Sequence, residues 1–120
     1  MSSWSGIFFL KLGISSRPSD VLKNKEIILL FGFQSYPTAN MDNHISRIRS
    51  ASDIFSKSHT NIKIGFADHA NPETNAHLGL GAMAIGFGAV ILEKHLTLAK
   101  SMKMEDHESA LNPDELVPFP

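Results

Sequence analysis

Three short apolar runs alternate along the chain with amphipathic or polar segments. The runs are residues 26–33 (EIILLFGF), 62–66 (IKIGF) and 89–92 (AVIL). Their length and their aliphatic, β-branched content are typical of buried parallel strands. A polar cluster follows each run, and ligands of α/β folds gather where such strands end. The pattern therefore predicts three strands whose polar ends could form a site.

Helical periodicity separates the first two runs. From Asp42 onward, apolar side chains recur at steps of three or four residues, with charged residues between them, which predicts an amphipathic helix that covers a sheet. The apolar positions of this helix are Ile45, Ile48, Ala51, Ile54 and Phe55.

Two further segments carry helix-start chemistry. Residues 71–73 (NPE) combine an N-cap residue, a first-turn proline and an acidic first turn, so a second helix is predicted to run from there to about Ile85. Gly86 and Gly88 fit its end and a tight turn into the third strand. Residues 112–115 (NPDE) repeat the start pattern.

The alternation of strands and helices predicts an α/β fold of parallel βα units in one domain, residues 26–120. Three such units cannot close a barrel alone. Residues 1–25 form an uncertain N-terminal segment, in which residues 7–12 have strand-like content and residues 19–22 could start a helical turn.

Composition excludes several classes of function. The chain has 120 residues, a net charge of −1 and a hydrophobic fraction of 42%, which is typical of soluble globular proteins and not of nucleic-acid-binding ones. With no cysteine, disulfides, thiolate zinc sites and cysteine nucleophiles are excluded, so any metal needs imidazole and oxygen ligands. The apolar stretches are too short or too rich in glycine for a signal peptide or membrane span, so no membrane partner is expected.

His69 and His95 each follow a predicted strand. Imidazole is a common ligand for divalent ions, so the two side chains could share one metal. Two separate, hydrogen-bonded histidines are the competing interpretation, and spacing alone leaves both open. The remaining histidines on predicted helix surfaces or loops look incidental: His44, His59 and His77.

Asp106 lies in a polar loop after the third strand, near the same sheet edge as the two histidines. Its carboxylate could bind sugar hydroxyls or act as a base, and a solvated loop acid is the alternative. Residues 79–84 (GLGAMA) superficially resemble a dinucleotide fingerprint, but they fall inside a predicted helix and not at a strand-to-helix turn. A nucleotide site is therefore rejected.

Four segments in order and spacing resemble the sialic acid synthase family. They are residues 34–38 (QSYPT), 65–69 (GFADH), 91–97 (ILEKHLT) and 105–115 (EDHESALNPDE), and the resemblance covers about residues 26–117. It implies a TIM barrel in which the three runs are the sixth to eighth strands. It also implies a cytoplasmic transferase of carbohydrate biosynthesis that condenses phosphoenolpyruvate with an N-acetylated hexosamine such as N-acetylmannosamine, giving a nine-carbon sugar acid and phosphate.

The resemblance also implies residue roles. His69 and His95 would bind manganese or magnesium, which polarises the aldehyde oxygen of the sugar. His95 and Asp106 would be catalytic, Asp106 and Tyr36 would face the sugar, and Gln34 would face phosphoenolpyruvate. Gln34 stands where relatives often carry Asn or Ser, which leaves the exact sugar open. Ala67 stands where relatives often carry Ser, so this chain would lack one donor if that hydroxyl contacts a substrate phosphate or carboxylate.

The family's lysines for phosphoenolpyruvate and its acidic residues from the first half of the barrel have no counterpart in residues 1–25. We therefore expect a partial TIM barrel that is weakly active or inactive alone, and that is completed by homo-oligomerisation or by pairing with the missing half. The alternatives are a non-catalytic oligomeric binding or assembly module, and a small flavodoxin-like sheet with incidental histidines.

Overall fold

A parallel sheet of three strands, in the order β1-β2-β3, is the centre of the structure. The computed structural model describes residues 25–74 and 76–116, so the expectations for residues 7–12 and 19–22 lie outside it. The strands are β1 (Ile27–Phe31), β2 (Ile62–Asp68) and β3 (Ile91–Lys94). The predicted parallel α/β fold is confirmed.

Helices connect and follow the strands. They are α1 (Ser46–Ser58), α2 (Ala76–Gly86) and α3 (Pro113–Leu116), with short 3-10 helices at Asn40–Asn43, Lys100–Met102 and His107–Ser109. The predicted amphipathic helix corresponds to α1, and the helix start predicted at residues 112–115 corresponds to α3. Within the described residues, no helix is long and apolar enough to cross a membrane.

The second helix begins later than predicted. Asn71 Oδ1 accepts the N–H of Glu73 at 2.9 Å, and the Asn71 carbonyl accepts the N–H of Thr74 at 3.3 Å. These bonds close a separate turn, because an Asn side chain can satisfy the backbone two residues on without starting a helix. The helix then begins at Ala76.

The third strand also begins later than predicted. The N–H of Ala89 bonds to the carbonyl of Ala84 at 2.9 Å, which assigns Ala89 to the end of α2. Gly88, at φ +108°, supplies the left-handed conformation that ends the helix. Pairing with β2 starts at Val90, whose N–H bonds to Ile64 O at 2.8 Å, and β3 extends through Glu93 and Lys94.

The two faces of the sheet differ. Side chains alternate between faces along a strand, and every strand residue of the buried core cluster falls on the face that α1 and α2 cover, the helix face. The strand members of this cluster are Ile27, Leu29, Ile62, Ile64 and Phe66. The alternate residues form the opposite or open face, where Ile28, Leu30 and Ile91 are only partly buried.

Two loops fold over the carboxyl end of the sheet. The segment after β1 pairs Thr38 with Ala70, and the segment after β3 pairs Leu96 with Leu111. Leu111 is fully buried, and its N–H bonds to the carbonyl of His95 at 2.8 Å. Residues beyond β1 and beyond β3 are thereby placed around the ends of β2 and β3.

Candidate metal centre

Three potential metal ligands converge at this end of the open face. Glu93 and His95 are two residues apart along β3 and its continuation, so their side chains share a face, and His69 directly follows β2. One donor atom from each residue lies within 4.8 Å of the other two. The imidazole centroids of His69 and His95 are 5.1 Å apart. The two predicted histidines are thus neighbours in space.

His69 is buried and fixed in orientation. Its ring Nδ1 lies 2.9 Å from the carbonyl oxygen of Phe33. A carbonyl oxygen can only accept, so Nδ1 carries the hydrogen and the lone pair of neutral His69 is on Nε2. Its own carbonyl accepts the N–H of Thr38 and the hydroxyl of Ser109, each at 2.8 Å. These contacts hold the ring in a tautomer whose Nε2 could bind a metal ion.

His95 lies beside Asp106. The His95 Nδ1 and the nearer carboxylate oxygen of Asp106 are 3.8 Å apart, and both side chains are partly exposed. Asp106 adopts the left-handed conformation, at φ 57°, immediately before the 3-10 helix His107–Ser109. The carboxylate thus faces Nδ1 and leaves Nε2 of His95 as the second nitrogen available to a ligand or substrate.

Tyr36 covers both imidazoles. Its ring centroid is 4.7 Å from that of His69 and 5.5 Å from that of His95, and it is nearly parallel to the latter. Because 40% of Tyr36 remains exposed, the ring forms one wall of an accessible site. Gln34 lies in the same loop and its side chain is exposed.

The chemistry of the donors fits a divalent ion. Two imidazoles and one carboxylate are a common ligand set for first-row transition ions, and oxygen ligands suit manganese and magnesium. Ligands about 2.2 Å from an ion are at most about 4.4 Å apart, so the group formed by His69, Glu93 and His95 is at most slightly wider than an occupied centre. These residues therefore fit a metal.

A buried ion pair lies on the other side of the same strand ends. Lys94 Nζ is 3.3 Å from Asp68 Oδ1 and donates to the carbonyl of Ala70 at 2.7 Å. The two charged side chains are 3% and 0% exposed. Burial lowers the pKa of Lys94 from its usual value of 10.5, while the Asp68 carboxylate acts in the opposite direction.

The residues singled out from the sequence distribute unevenly. His69, His95, Tyr36 and Asp106 gather at one site. His44 ends a 3-10 helix, His59 contacts Phe55, and the side chain of His77 lies outside the described part of the chain. The glycine-rich segment 79–84 lies inside α2, as predicted.

Sequence reasoning missed Glu93 as a third potential metal ligand. The signal was available, because residues two apart on a strand point to the same side and Glu93 precedes His95 by two. The predicted strand ended at Leu92, before this alternation could be applied to Glu93. The structure extends β3 to Lys94 and thereby puts Glu93 on the face of the histidines.

Several known proteins align with most of the length of this chain. N,N'-diacetyllegionaminic acid synthase of Campylobacter jejuni is 33% identical over 94 residues, which are 78% of this chain and 25% of that protein. Pseudaminic acid synthase of the same species is 35% identical over 95 residues, with 78% and 24% covered. Human N-acetylneuraminate-9-phosphate synthase is 39% identical over 82 residues, with 68% and 20% covered.

A solved structure has a similar fold. N-acetylneuraminic acid (sialic acid) synthetase from Leptospira borgpetersenii superimposes with a TM-score of 0.65 at 28% identity, over 78% of this chain and 29% of that chain. The chain spans about a quarter of the length of the curated relatives that it matches. The NeuB family model matches residues 16–119. The resemblance expected from the sequence motifs is thus confirmed, and this chain belongs to the NeuB family.

Proposed function

We propose that this chain supplies the metal-binding and sugar-facing side of a synthase site that condenses phosphoenolpyruvate with an N-acetylated hexosamine. The observation that carries the proposal is the convergence of His69, Glu93 and His95 at the carboxyl ends of two neighbouring parallel strands. Relatives named as synthases of legionaminic, pseudaminic and N-acetylneuraminic-type acids support the substrate class.

His69, Glu93 and His95 would hold the ion, manganese or magnesium. Bound there, the ion would supply Lewis acidity toward the carbonyl oxygen of the open-chain sugar. The bond from His69 Nδ1 to Phe33 O leaves Nε2 unprotonated for this purpose. The Asp106 carboxylate lies beside His95, where it can orient the ring and accept a hydrogen bond from a sugar hydroxyl.

Tyr36 and Asp106 would face the sugar. An aromatic wall beside a hydrogen-bond acceptor is the usual means of binding a hexose. Gln34, exposed in the loop after β1, would face phosphoenolpyruvate. Ala67 lies on the open face opposite Glu93, where a serine would have offered a hydroxyl. We infer that this chain makes one fewer hydrogen bond to a phosphate or carboxylate group of the substrate.

The architecture proposed for the complete site is a TIM barrel in which β1, β2 and β3 are the sixth to eighth strands. The open face would then be the barrel interior, which agrees with metal ligands on that face and helices on the other. Residues that bind phosphoenolpyruvate would come from the preceding strands of such a barrel. The 120-residue chain alone is accordingly expected to show little or no turnover.

Manganese binding tests the metal centre. Isothermal calorimetry on the 120-residue chain should show one site, and the His69→Ala and His95→Ala variants should each lose it. His44→Asn is the matched control, since His44 is exposed and Asn tolerates its left-handed backbone, at φ 46°. Absence of binding by the parent, or equal loss in the control, would contradict the proposed centre.

A chimera tests the reaction. In this chimera, residues 26–116 of this chain replace the corresponding segment of the Campylobacter legionaminic acid synthase. The chimera should release phosphate from phosphoenolpyruvate when the sugar is present. The same chimera with His95→Ala should be inactive although folded. A folded chimera with an intact metal site but no phosphate release would sink the assignment of this segment to the reaction.

A non-catalytic assembly module is a second candidate. Partly exposed Ile28, Leu30 and Ile91 on the open face favour it, because apolar surface of this kind is usually covered. Sedimentation velocity separates the two proposals when combined with the calorimetry. A stable oligomer that binds no manganese would favour assembly, and a folded monomer would count against it.

A further inference from the structure

Asp68 and Lys94 form a buried charged pair on the helix face of the sheet. They are opposite one another in the β2–β3 register, so their side chains project from adjacent strands to the same side. Both lie almost wholly out of water. Apolar side chains form the core cluster of this face, which makes a lysine and an aspartate here unusual.

The pair connects two strands and the loop after β2. Asp68 Oδ1 accepts the N–H of Ala70 at 2.8 Å and lies 3.3 Å from Lys94 Nζ. The same ammonium donates to the carbonyl of Ala70 at 2.7 Å. The Lys94 side chain of β3 therefore contacts the residue before His69 and the residue after it. The end of β2 cannot shift against β3 without breaking these contacts.

Stability alone does not account for such a pair. Removing two charges from water costs several kcal/mol per ion, and replacement of a buried pair by uncharged residues of similar volume is often neutral or stabilising. Asp68 Oδ2 is also buried without a hydrogen-bond partner among the described residues. Burial lowers the pKa of Lys94, which is the same cost expressed on the lysine.

The neighbours of this pair are the proposed metal ligands. Asp68 precedes His69, and Lys94 lies between Glu93 and His95, so each ligand is one residue from a member of the pair and projects to the opposite face. We propose that Asp68 and Lys94 are positioning residues. They lie on the helix face of the sheet and fix the separation of the ends of β2 and β3, which carry the proposed ligands on the opposite face. This inference rests on the proposed metal site, and it assigns neither residue a contact with metal or substrate.

The double variant D68N/K94M isolates the cross-strand link. The amide oxygen introduced by D68N can still accept the N–H of Ala70, and both new side chains are close in size to the originals but uncharged. Because the charges are removed together, neither is left buried alone, and the melting temperature should fall only through loss of the hydrogen bond from Lys94 to the Ala70 carbonyl. Manganese affinity should fall about 10- to 100-fold, the usual effect of losing residues that support metal ligands.

The matched control is the second ion pair of the same sheet. Glu26, just before β1, and Lys63, near the start of β2, contact each other and are largely exposed. The variant E26Q/K63M removes a charge of each sign from the same sheet and should leave manganese affinity unchanged. Equal losses of affinity in both double variants would overturn the inference.

A measurement on metal-free protein separates this inference from the proposed function. Nuclear Overhauser contacts from Tyr36 to the rings of His69 and His95 report their spacing without any ion. In folded D68N/K94M these contacts should weaken or disappear. If the parent binds no manganese, the proposed function fails, and the ring contacts still decide the positioning role.

Two results would overturn the positioning role directly. One is a folded double variant with lower stability but parental manganese affinity and ring contacts, which would make the pair merely structural. If the double variant fails to fold, Lys94→Arg replaces it, since arginine keeps the charge and donors but changes their reach. Parental ring contacts and affinity in that variant would be the second overturning result; an altered spacing or affinity would support the role.

Discussion

The ring of Tyr36 lies nearly parallel to the imidazole of His95, with the centroids 5.5 Å apart and the planes inclined by 19°. The loop after β1 therefore crosses β2 and reaches the end of β3. This contact closes one side of the candidate site with a side chain from the loop after β1, the strand that is not adjacent to β3 in the sheet.

Tyr36 should report manganese binding. It is the single tyrosine of the chain, so its ring resonances need no further assignment. Because the ring lies against both imidazoles, paramagnetic manganese should broaden these resonances at substoichiometric amounts, and diamagnetic magnesium should not. The ring of His59, which contacts Phe55 instead, is the internal control. Equal broadening of both rings would indicate nonspecific binding.

Glu93→Gln should weaken manganese binding by at least about tenfold, because an amide oxygen replaces a charged ligand. The fold should be unaffected, since Glu93 is only partly buried. Glu105→Gln, at an exposed position of the following loop, is the control for lost negative charge. Calorimetry measures both. Unchanged affinity in Glu93→Gln would remove this residue from the ligand set.

Manganese affinity should fall as the pH is lowered from about 8 to about 5.5, because protons compete with the ion for imidazole nitrogens. Binding should release protons, and the heat measured at one pH should therefore vary with the ionisation enthalpy of the buffer. A pH-independent affinity over this range would mean that carboxylates alone hold the ion.

Gly32→Ala should destabilise the sheet near the site. A Cβ on Gly32 would lie 2.6 Å from the carbonyl oxygen of Ala67, a backbone atom of the neighbouring strand that cannot move aside cheaply. We expect a loss of roughly 1–3 kcal/mol in the free energy of unfolding.

The matched control for that substitution is Gly79→Ala. Gly79 lies in α2 with open space where its Cβ would be, so alanine should stabilise by about 0.5–1 kcal/mol through helix propensity. Denaturant unfolding of both variants gives the comparison. A neutral Gly32→Ala would mean that β1 and β2 can separate at this end without cost.

The strands were predictable because their signal is local. Apolar runs predicted β1 and β2 to within two residues at each end, and the histidines that follow β2 and β3 could be recognised as candidates without knowledge of their 5.1 Å separation. The meeting of His69 with His95 depends on parallel pairing of β2 with β3, which the alternation of strands and helices already indicated.

Features that depend on side-chain competition were not predictable in the same way. Asn71 is of a residue type that often caps helices, yet its side chain closes a separate turn that is not the first turn of the helix. Asp68 and Lys94 look like ordinary solvated charges in sequence, and only the register of β2 against β3 buries them together. Local hydrogen bonds within the turn decided the first outcome, and tertiary pairing of β2 with β3 decided the second.

Side chains alternate between the two faces along β3, so the position of each residue in the strand decides whether its side chain reaches the candidate site. Glu93 and His95 point one way and Lys94 the other, so inserting or deleting one residue just before Glu93 would exchange their sides. An ammonium would then point at the imidazole of His69, and two of the proposed metal ligands would be moved into the packed layer beneath the helices. Surface loops generally absorb changes in length at little cost, whereas the side-chain faces of this strand are kept only when residues are added or removed in pairs.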